Sequence, residues 1–364
     1  MKKYLSIALA ALVLTACCKQ KQEIKKQNNM NQDLTLTQEW DKVFPQSDKV
    51  DHKKVTFKNR YGIELAADMY TPKNAEGKLP AIAVSGPFGA VKEQTSGLYA
   101  QHMAERGFVT IAFDPSFTGE SGGEPRRVAS PDINTEDFCA AVDFLANCDL
   151  VDPERIGIIG ICGWGGMAIN AAAQDTRIKA TVTSTMYDMT RVAREGYFQT
   201  ADSPEARREQ RKAMNDQRTI DYRNGTYARA GGVVDPLPDD APWFVKDYHA
   251  YYKCPRGYHE RSGNSTDGWN VTSNLSFINM PLLQMASEIE TPVLLIHGEK
   301  AHSRYFSEGA FEKMTGVNPN GQSMTIGNKE ILIIPSASHI DLYDDEAGVI
   351  PYDKMEQFFK DNLK

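Results

Sequence analysis

Residues 155–166 run Arg-Ile-Gly-Ile-Ile-Gly-Ile-Cys-Gly-Trp-Gly-Gly, an apolar β-run that breaks on a cysteine between glycines and continues into an alanine-rich stretch. A sharp strand-to-helix turn needs small neighbours, so Gly160 and Gly163 suit a turn at Cys162. Such a turn lifts the sulfur to a helix N-terminus, where the helix dipole and free N–H groups favour thiolate. That is the chemistry of a nucleophile elbow. The usual pattern is Gly-x-Ser-x-Gly, and the chain departs from it twice, with Cys162 for the serine and Trp164 for the second glycine. Two other readings stay open. Cys162 is also what a small buried hydrophobe at the end of a core strand looks like. A shifted register would put Trp164 at the elbow and forbid covalent chemistry, since indole is no nucleophile.

A nucleophile needs a base within hydrogen-bond reach, and the candidate is His339 in Pro-Ser-Ala-Ser-His-Ile-Asp-Leu-Tyr, directly after the last expected strand. Its place fits the chain order nucleophile, acid, histidine. The acid is less plain. Where it would follow the seventh strand as Gly-x-x-Asp, the chain has Gly298-Glu299-Lys300-Ala301. Glu299 from the same turn, or Asp188 from the end of the sixth strand, would have to substitute; Asp341 and Asp344 beside His339 are further alternatives. An oxyanion hole needs two backbone donors. Gly163 supplies one, and the turn Ser85-Gly86-Pro87-Phe88-Gly89 supplies the other through Phe88, because Pro87 has no N–H. That turn lacks both Gly-x-Gly-x-x-Gly and a P-loop lysine, so it argues against a nucleotide.

The elements that must position these groups follow a strand-helix alternation from about Val55 onward, which implies α/β architecture with a mostly parallel sheet covered on both faces. The pattern predicts a hairpin over 55–70 and strands over 80–86, 108–114, 155–162, 178–185, 292–297 and 330–335. Helices are expected over 93–106, 135–147, 165–174 and 352–363. Between about 187 and 289 the rhythm stops and aromatics accumulate, among them Tyr187, Tyr197, Phe198, Trp243, Tyr248, Tyr251, Tyr252 and Trp269. A lid that shapes a substrate pocket is the expectation there. Asp114 reads as a loop organiser, and Arg126 as a surface ion pair more than a carboxylate binder.

The 364 residues, 41% hydrophobic, suffice for one large domain with an insertion. A net charge of −7 without a basic stripe argues against nucleic acid as a partner. Met-Lys-Lys followed by the apolar run 5–16 has the form of an export signal, too short to span a bilayer. It ends Leu14-Thr15-Ala16-Cys17, which resembles a bacterial lipobox with Cys17 as the lipidated residue. Residues 1–16 then form the signal peptide, 17–38 a polar tether, and 39–364 the folded domain held at a membrane face. Of the other cysteines, Cys139 and Cys148 sit nine apart in one expected helix, roughly 13 Å along its axis, and should not pair.

These segments resemble the α/β-hydrolase superfamily, and within it the dienelactone-hydrolase-like bacterial proteins with Gly-x-Cys at the elbow. The motifs that carry the likeness are Val91-Lys92-Glu93-Gln94-Thr95, Gly119-Glu120-Ser121-Gly122-Gly123-Glu124-Pro125-Arg126, and His339-Ile340-Asp341-Leu342-Tyr343-Asp344. The resemblance implies the α/β-hydrolase fold, with Cys162 as nucleophile and His339 as base. Ala301 breaks the acid position and Trp164 the second elbow glycine. It implies hydrolysis of an ester, thioester or related acyl bond in a small-molecule substrate, with no cofactor and no metal. A tethered binding protein whose pocket is relined by Trp164, or a peptidase or acyltransferase on the same scaffold, are the competing readings.

Overall fold

Apolar runs bounded by turn residues become the strands of one nine-stranded sheet in a computed structural model that describes residues 34–364. The expected export signal, Cys17 and the expected tether as far as residue 33 lie outside the described residues. The sheet opens with β1 (Val50–Lys58) and β2 (Glu64–Pro72), paired antiparallel from Val50↔Pro72 to Lys58↔Glu64. Next come β3 (Leu79–Ser85), helix α1 (Thr95–Glu105), β4 (Val109–Phe113), α2 (Pro131–Ala146), β5 (Val151–Ile161), α3 (Gly163–Gln174) and β6 (Ile178–Ser184). After the insertion come β7 (Val293–Gly298), α8 (Arg304–Thr315), the short β8 (Met324–Ile326), β9 (Lys329–Ile334) and α9 (Tyr352–Asn362). The spatial order is β1-β2-β4-β3-β5-β6-β7-β9-β8. Every pairing from β4 across to β9 is parallel, and the antiparallel strands sit at the two edges.

Burial follows from that topology. All five residues of β4 and all six of β7 are buried, as parallel strands covered on both faces must be. One face carries Phe138, Trp164, Met167 and Ile169 of α2 and α3; the other carries Tyr99 and Met103 of α1 with Phe358 and Phe359 of α9. Ala168 and Ala171 let α3 lie close to the sheet, and Gly160 faces the Ala168 methyl. Helix α2 starts early, at Pro131, because Ser130 caps it by accepting from the Ile133 amide at 3.3 Å.

The insertion is helical: α4 (Met189–Glu195), α5 (Pro204–Asn224), α6 (Trp243–Tyr252) and α7 (Asn274–Asn279). Its longest member, α5, buries only Met214 and Asp221, so no apolar stripe announced it. The tether boundary also moves. Thr37 is fixed on the domain, its amide donating to Glu120 Oε1 at 2.6 Å, and Asp41 pairs with Arg261 at 2.6 Å.

Candidate active site

Strand β5 delivers the chain into a turn at Cys162 with φ 55° and ψ −126°. Few residues other than glycine hold such a backbone without surrounding support. Here the Cys162 amide donates to Ser184 O (3.0 Å), and its carbonyl accepts from Gly165 N (2.9 Å) and Tyr187 N (2.8 Å). The flanking glycines are spatial necessities: a Cβ at Gly160 would fall on the Trp164 carbonyl oxygen, and one at Gly163 would stand 2.6 Å from Phe88 Cβ. The elbow residue is therefore Cys162. Trp164 points the other way, packed edge-on against Phe113 and Phe138 at 5.8 and 5.5 Å. The competing reading in which Trp164 relines the pocket is corrected: the indole is core, absent from the wall of the Cys162 cavity and with one edge on a neighbouring one. Gly86 makes room for it, since a Cβ there would lie 2.8 Å from Trp164 Cβ.

The sulfur faces a cavity of about 180 Å³ lined by Phe88, Tyr187, Tyr197, Tyr248, Asn264, Trp269 and Tyr343, among others. Tyr187, Tyr197 and Tyr248 come from the insertion. Burial pushes the Cys162 thiol up to about 11, against smaller opposing pulls from the Tyr343 hydroxyl and the Gly163 and Phe88 amides beside it. The two residues nominated for an oxyanion hole are neighbours at the elbow, as the 2.6 Å between a Cβ placed on Gly163 and Phe88 Cβ shows.

His339 makes no hydrogen bond to the sulfur; Tyr343, which shares the cavity wall with Cys162, is the group that meets the imidazole. The imidazole Nε2 lies 3.0 Å from the Tyr343 hydroxyl. On its other side, Nδ1 meets Ser303 Oγ at 2.6 Å and Thr185 Oγ1 at 2.8 Å. Ser303 in turn reaches His297 Nε2 at 2.9 Å, and His297 Nδ1 meets Ser307 Oγ at 2.6 Å. Burial, reinforced by His302 and His297, holds the His339 pKa well below its usual 6.5. The ring is a neutral base, backed by hydroxyls.

No sequence-nominated acid reaches it. Asp188 caps α4, accepting from Thr190 N and Arg191 N at 3.0 Å each. Glu299 accepts from Ser336 N at 2.8 Å, Asp341 from Ser338 N at 2.8 Å, and Asp344 pairs with Arg256 Nε at 2.7 Å. Each carboxylate is satisfied where solvent or a helix end can stabilise its charge, whereas the space behind His339 is buried and already occupied by Ser303 and Thr185. Tyr343 was findable: it lies four residues after His339, one helical turn on, in a segment that forms a short 3₁₀ turn.

The oxyanion turn rests on a buried ionic knot. Lys92 Nζ sits 2.6 Å from Glu93 Oε1, 2.8 Å from Asp114 Oδ2 and 2.7 Å from Glu120 Oε2. Those three carboxylates are spaced to hold a metal ion, and the lysine ammonium occupies their centre. Burial alone would lower the Lys92 pKa, but the carboxylates outweigh it and hold the group well above its ordinary value. Asp114 also accepts from the Lys92 and Glu120 amides at 2.8 Å each, which makes it the loop organiser anticipated. Two motifs of the sequence, around Lys92 and Glu120, meet here. The knot fixes the chain four residues after Phe88.

Sheet order, elbow, trailing histidine and inserted helices together define an α/β hydrolase. The fold is shared, for instance, with the crystal structure of the α/β hydrolase GrgF from Penicillium sp. sh18, at a TM-score of 0.67 and 19% identity over 86% of this chain and 99% of that one. Residues 61–341 match the model for the X-Pro dipeptidyl-peptidase (S15) family, and the chain belongs to that family. It is 58% identical to the uncharacterised protein PA2218 of Pseudomonas aeruginosa, over 92% of this chain and 86% of that one. The crystal structure of the Pseudomonas protein superposes with a TM-score of 0.86, covering 92% of this chain and all of that one. The uncharacterised protein YcjY of Escherichia coli is 34% identical over 86% of this chain and 99% of its own length.

Proposed function

We propose that this hydrolase cleaves an ester, thioester or related acyl bond through a Cys162 thioester, on a domain exported and lipid-anchored at Cys17. The observation that carries the reading is a cysteine held at a strained strand-to-helix elbow with its side chain in an aromatic cavity that Phe88 and Tyr343 also line. The thiol hands its proton to the Tyr343 oxygen as Tyr343 gives its own to His339 Nε2. The thiolate attacks the acyl carbon, and the carbonyl oxygen takes its charge to the Phe88 and Gly163 amides. Collapse breaks the bond to the leaving group, which takes the proton back along the same path. Water, passing a proton through Tyr343 to His339, then attacks the thioester carbon; the C–S bond breaks, the acid leaves, and the proton returns from His339 through Tyr343 to the Cys162 sulfur.

The test is turnover of aryl esters by the full chain and by Cys162→Ala, with intact-mass detection of an acyl adduct. Loss of turnover and of adduct is expected; a C162A protein within twofold of wild type would sink the reading. Metabolic labelling with a fatty acid, lost in Cys17→Ala, tests the anchor, and label retained in C17A refutes it. Membership of the S15 family favours a second reading, a peptidase using the same groups. Comparing aryl esters with X-Pro anilides separates the two, and faster anilide turnover decides for the peptidase.

A further inference from the structure

Beside the Cys162 cavity lies a smaller one of about 30 Å³, whose wall includes Arg127, Asn134, Trp164, Gly263 and Trp269. Phe88 and Trp269 line both. Among the described residues that line either cavity, Arg127 carries the one charged side chain. Two buried donors here have no hydrogen-bond partner: Arg127 Nη1 and Trp269 Nε1. Leaving such groups unpaired is costly, most of all for a cation.

Arg127 is also held in place. Its φ is 68°, in the left-handed region that a long side chain avoids. Its amide donates to Phe117 O at 2.8 Å, its carbonyl accepts from Asn270 N at 2.8 Å, and Nη2 donates to Thr266 Oγ1 at 3.2 Å. The carboxylate nearest to it, Asp267, is 3.8 Å from Nη2, exposed, and shared with Arg229 at 3.4 Å. Gly263 clears the space, because a Cβ there would stand 2.8 Å from Nη1. Arg126 is committed elsewhere, its Nη2 clamping the Gly119 carbonyl at 2.7 Å.

We propose that this second cavity binds a carboxylate of the substrate, so that the substrates are acyl esters or thioesters carrying a free carboxylate a short chain away from the bond broken. The proposal rests on Cys162 chemistry in the adjoining cavity. One guanidinium N–H and one indole N–H match the two oxygens of a planar carboxylate. A phosphate would turn a further charged oxygen onto Trp164 and Ala129, which also line the wall. A peptide with a free amino terminus fits poorly, since its ammonium would meet Arg127 and no carboxylate in either wall.

The test compares kcat/KM of the full chain for nitrophenyl hydrogen succinate, glutarate and adipate with their methyl-capped neutral counterparts. Wild type should favour one of the acids over its neutral partner by at least about tenfold. In Arg127→Met that ratio should fall roughly 10- to 100-fold, the range for a lost charge-assisted hydrogen bond. Trp269→Phe should lower it less, and Arg127→Lys should restore part of it. No preference at any chain length, or equal losses on both members of each pair, overturns the proposal. A separate readout is calorimetric titration of C162A with glutarate and with neutral glutaramide. Saturable binding of glutarate alone, lost when R127M is added, supports the subsite even if no ester is turned over and the Cys162 reading has failed. Equal or absent binding of the two probes means the cavity holds water only and overturns it.

Discussion

The sharpest consequence of the geometry is that Cys162 rests as a thiol. A free cysteine thiol ionises near 9, whereas burial pushes this one to about 11. At pH 7 about one sulfur in 10⁴ is thiolate, against about one in 10² for an ordinary cysteine, and only thiolate alkylates. Iodoacetamide should therefore modify Cys162 about 100-fold more slowly than a free thiol at pH 7. The rate should climb about tenfold per pH unit to pH 10, where ordinary cysteines have levelled off. Peptide mapping is required, because Cys254 is only partly buried and reacts in parallel, while Cys139, pushed by burial to about 12, serves as the inert internal reference.

Tyr343→Phe sharpens the test. It removes a hydroxyl whose pull on the sulfur favours thiolate, so labelling at a fixed pH should slow by roughly tenfold, the worth of about 1.4 kcal/mol. A plateau below pH 9 in the wild-type protein, or faster labelling in Y343F, would show a thiolate–imidazolium pair at rest and refute a relay that moves its proton only when substrate is bound.

Three further outcomes follow from burial and packing. Lys92→Met strands the buried Asp114 carboxylate, while Glu93 and Glu120 keep Lys54 and Arg261, and should cost about 3–5 kcal/mol in urea unfolding at an unchanged m-value, so a loss below about 1 kcal/mol would deny the knot its role. Gly160→Ala drives a methyl into the Trp164 carbonyl and to 2.6 Å from Ala168 Cβ, and should cost at least about 2 kcal/mol in thermal melts. Gly225→Ala, at a helix end with open space, should cost about 1 kcal/mol, and equal losses would contradict the packing argument. Burial lowers His297 and His302 to about 3 and His339 well below 6.5, so between pH 6.5 and 3 the unfolded chain binds protons that the folded one refuses. Stability is then full above pH 6.5 and falls with acid by up to about 1.4 kcal/mol per pH unit for each histidine; a flat profile from pH 6.5 to 5 would show that these rings are charged in the fold.

What could be read in the sequence was whatever a local rule enforces. The turn at Cys162 announces itself through Gly160 and Gly163, because any Cβ there collides, and β4 and β7 announce themselves as short, mostly apolar runs. The donor at Phe88 followed from Pro87 having no N–H. The missed features depend on groups far apart in the chain. Helix α5 is polar nearly all round, and α8 buries Phe306, Ser307, Ala310 and Phe311 around a glycine, so neither shows a clean apolar face. The usual partner of such a histidine is a carboxylate, and Glu299, Asp188, Asp341 and Asp344 all bond elsewhere. Ser303 was in the turn after β7, and Thr185 at the end of β6, but nothing in a lone hydroxyl distinguishes a partner of His339 from a surface serine.

That substitution of hydroxyls for a carboxylate bears on the choice of substrate. When His339 takes the proton, the imidazolium is met on Nδ1 by Ser303 and Thr185, which are dipoles and not a negative charge. The two nearest histidines, His297 and His302, add none. A base without its carboxylate stabilises the developing cation poorly, and in serine proteases the loss of that charge lowers kcat by about 10⁴. The deficit weighs most where the leaving group must be protonated as it departs, as an amide nitrogen must. It weighs least where the leaving group departs as a stable anion, as from a thioester or aryl ester. The same missing carboxylate that weakens the protease reading of the S15 scaffold therefore favours activated acyl substrates at Cys162.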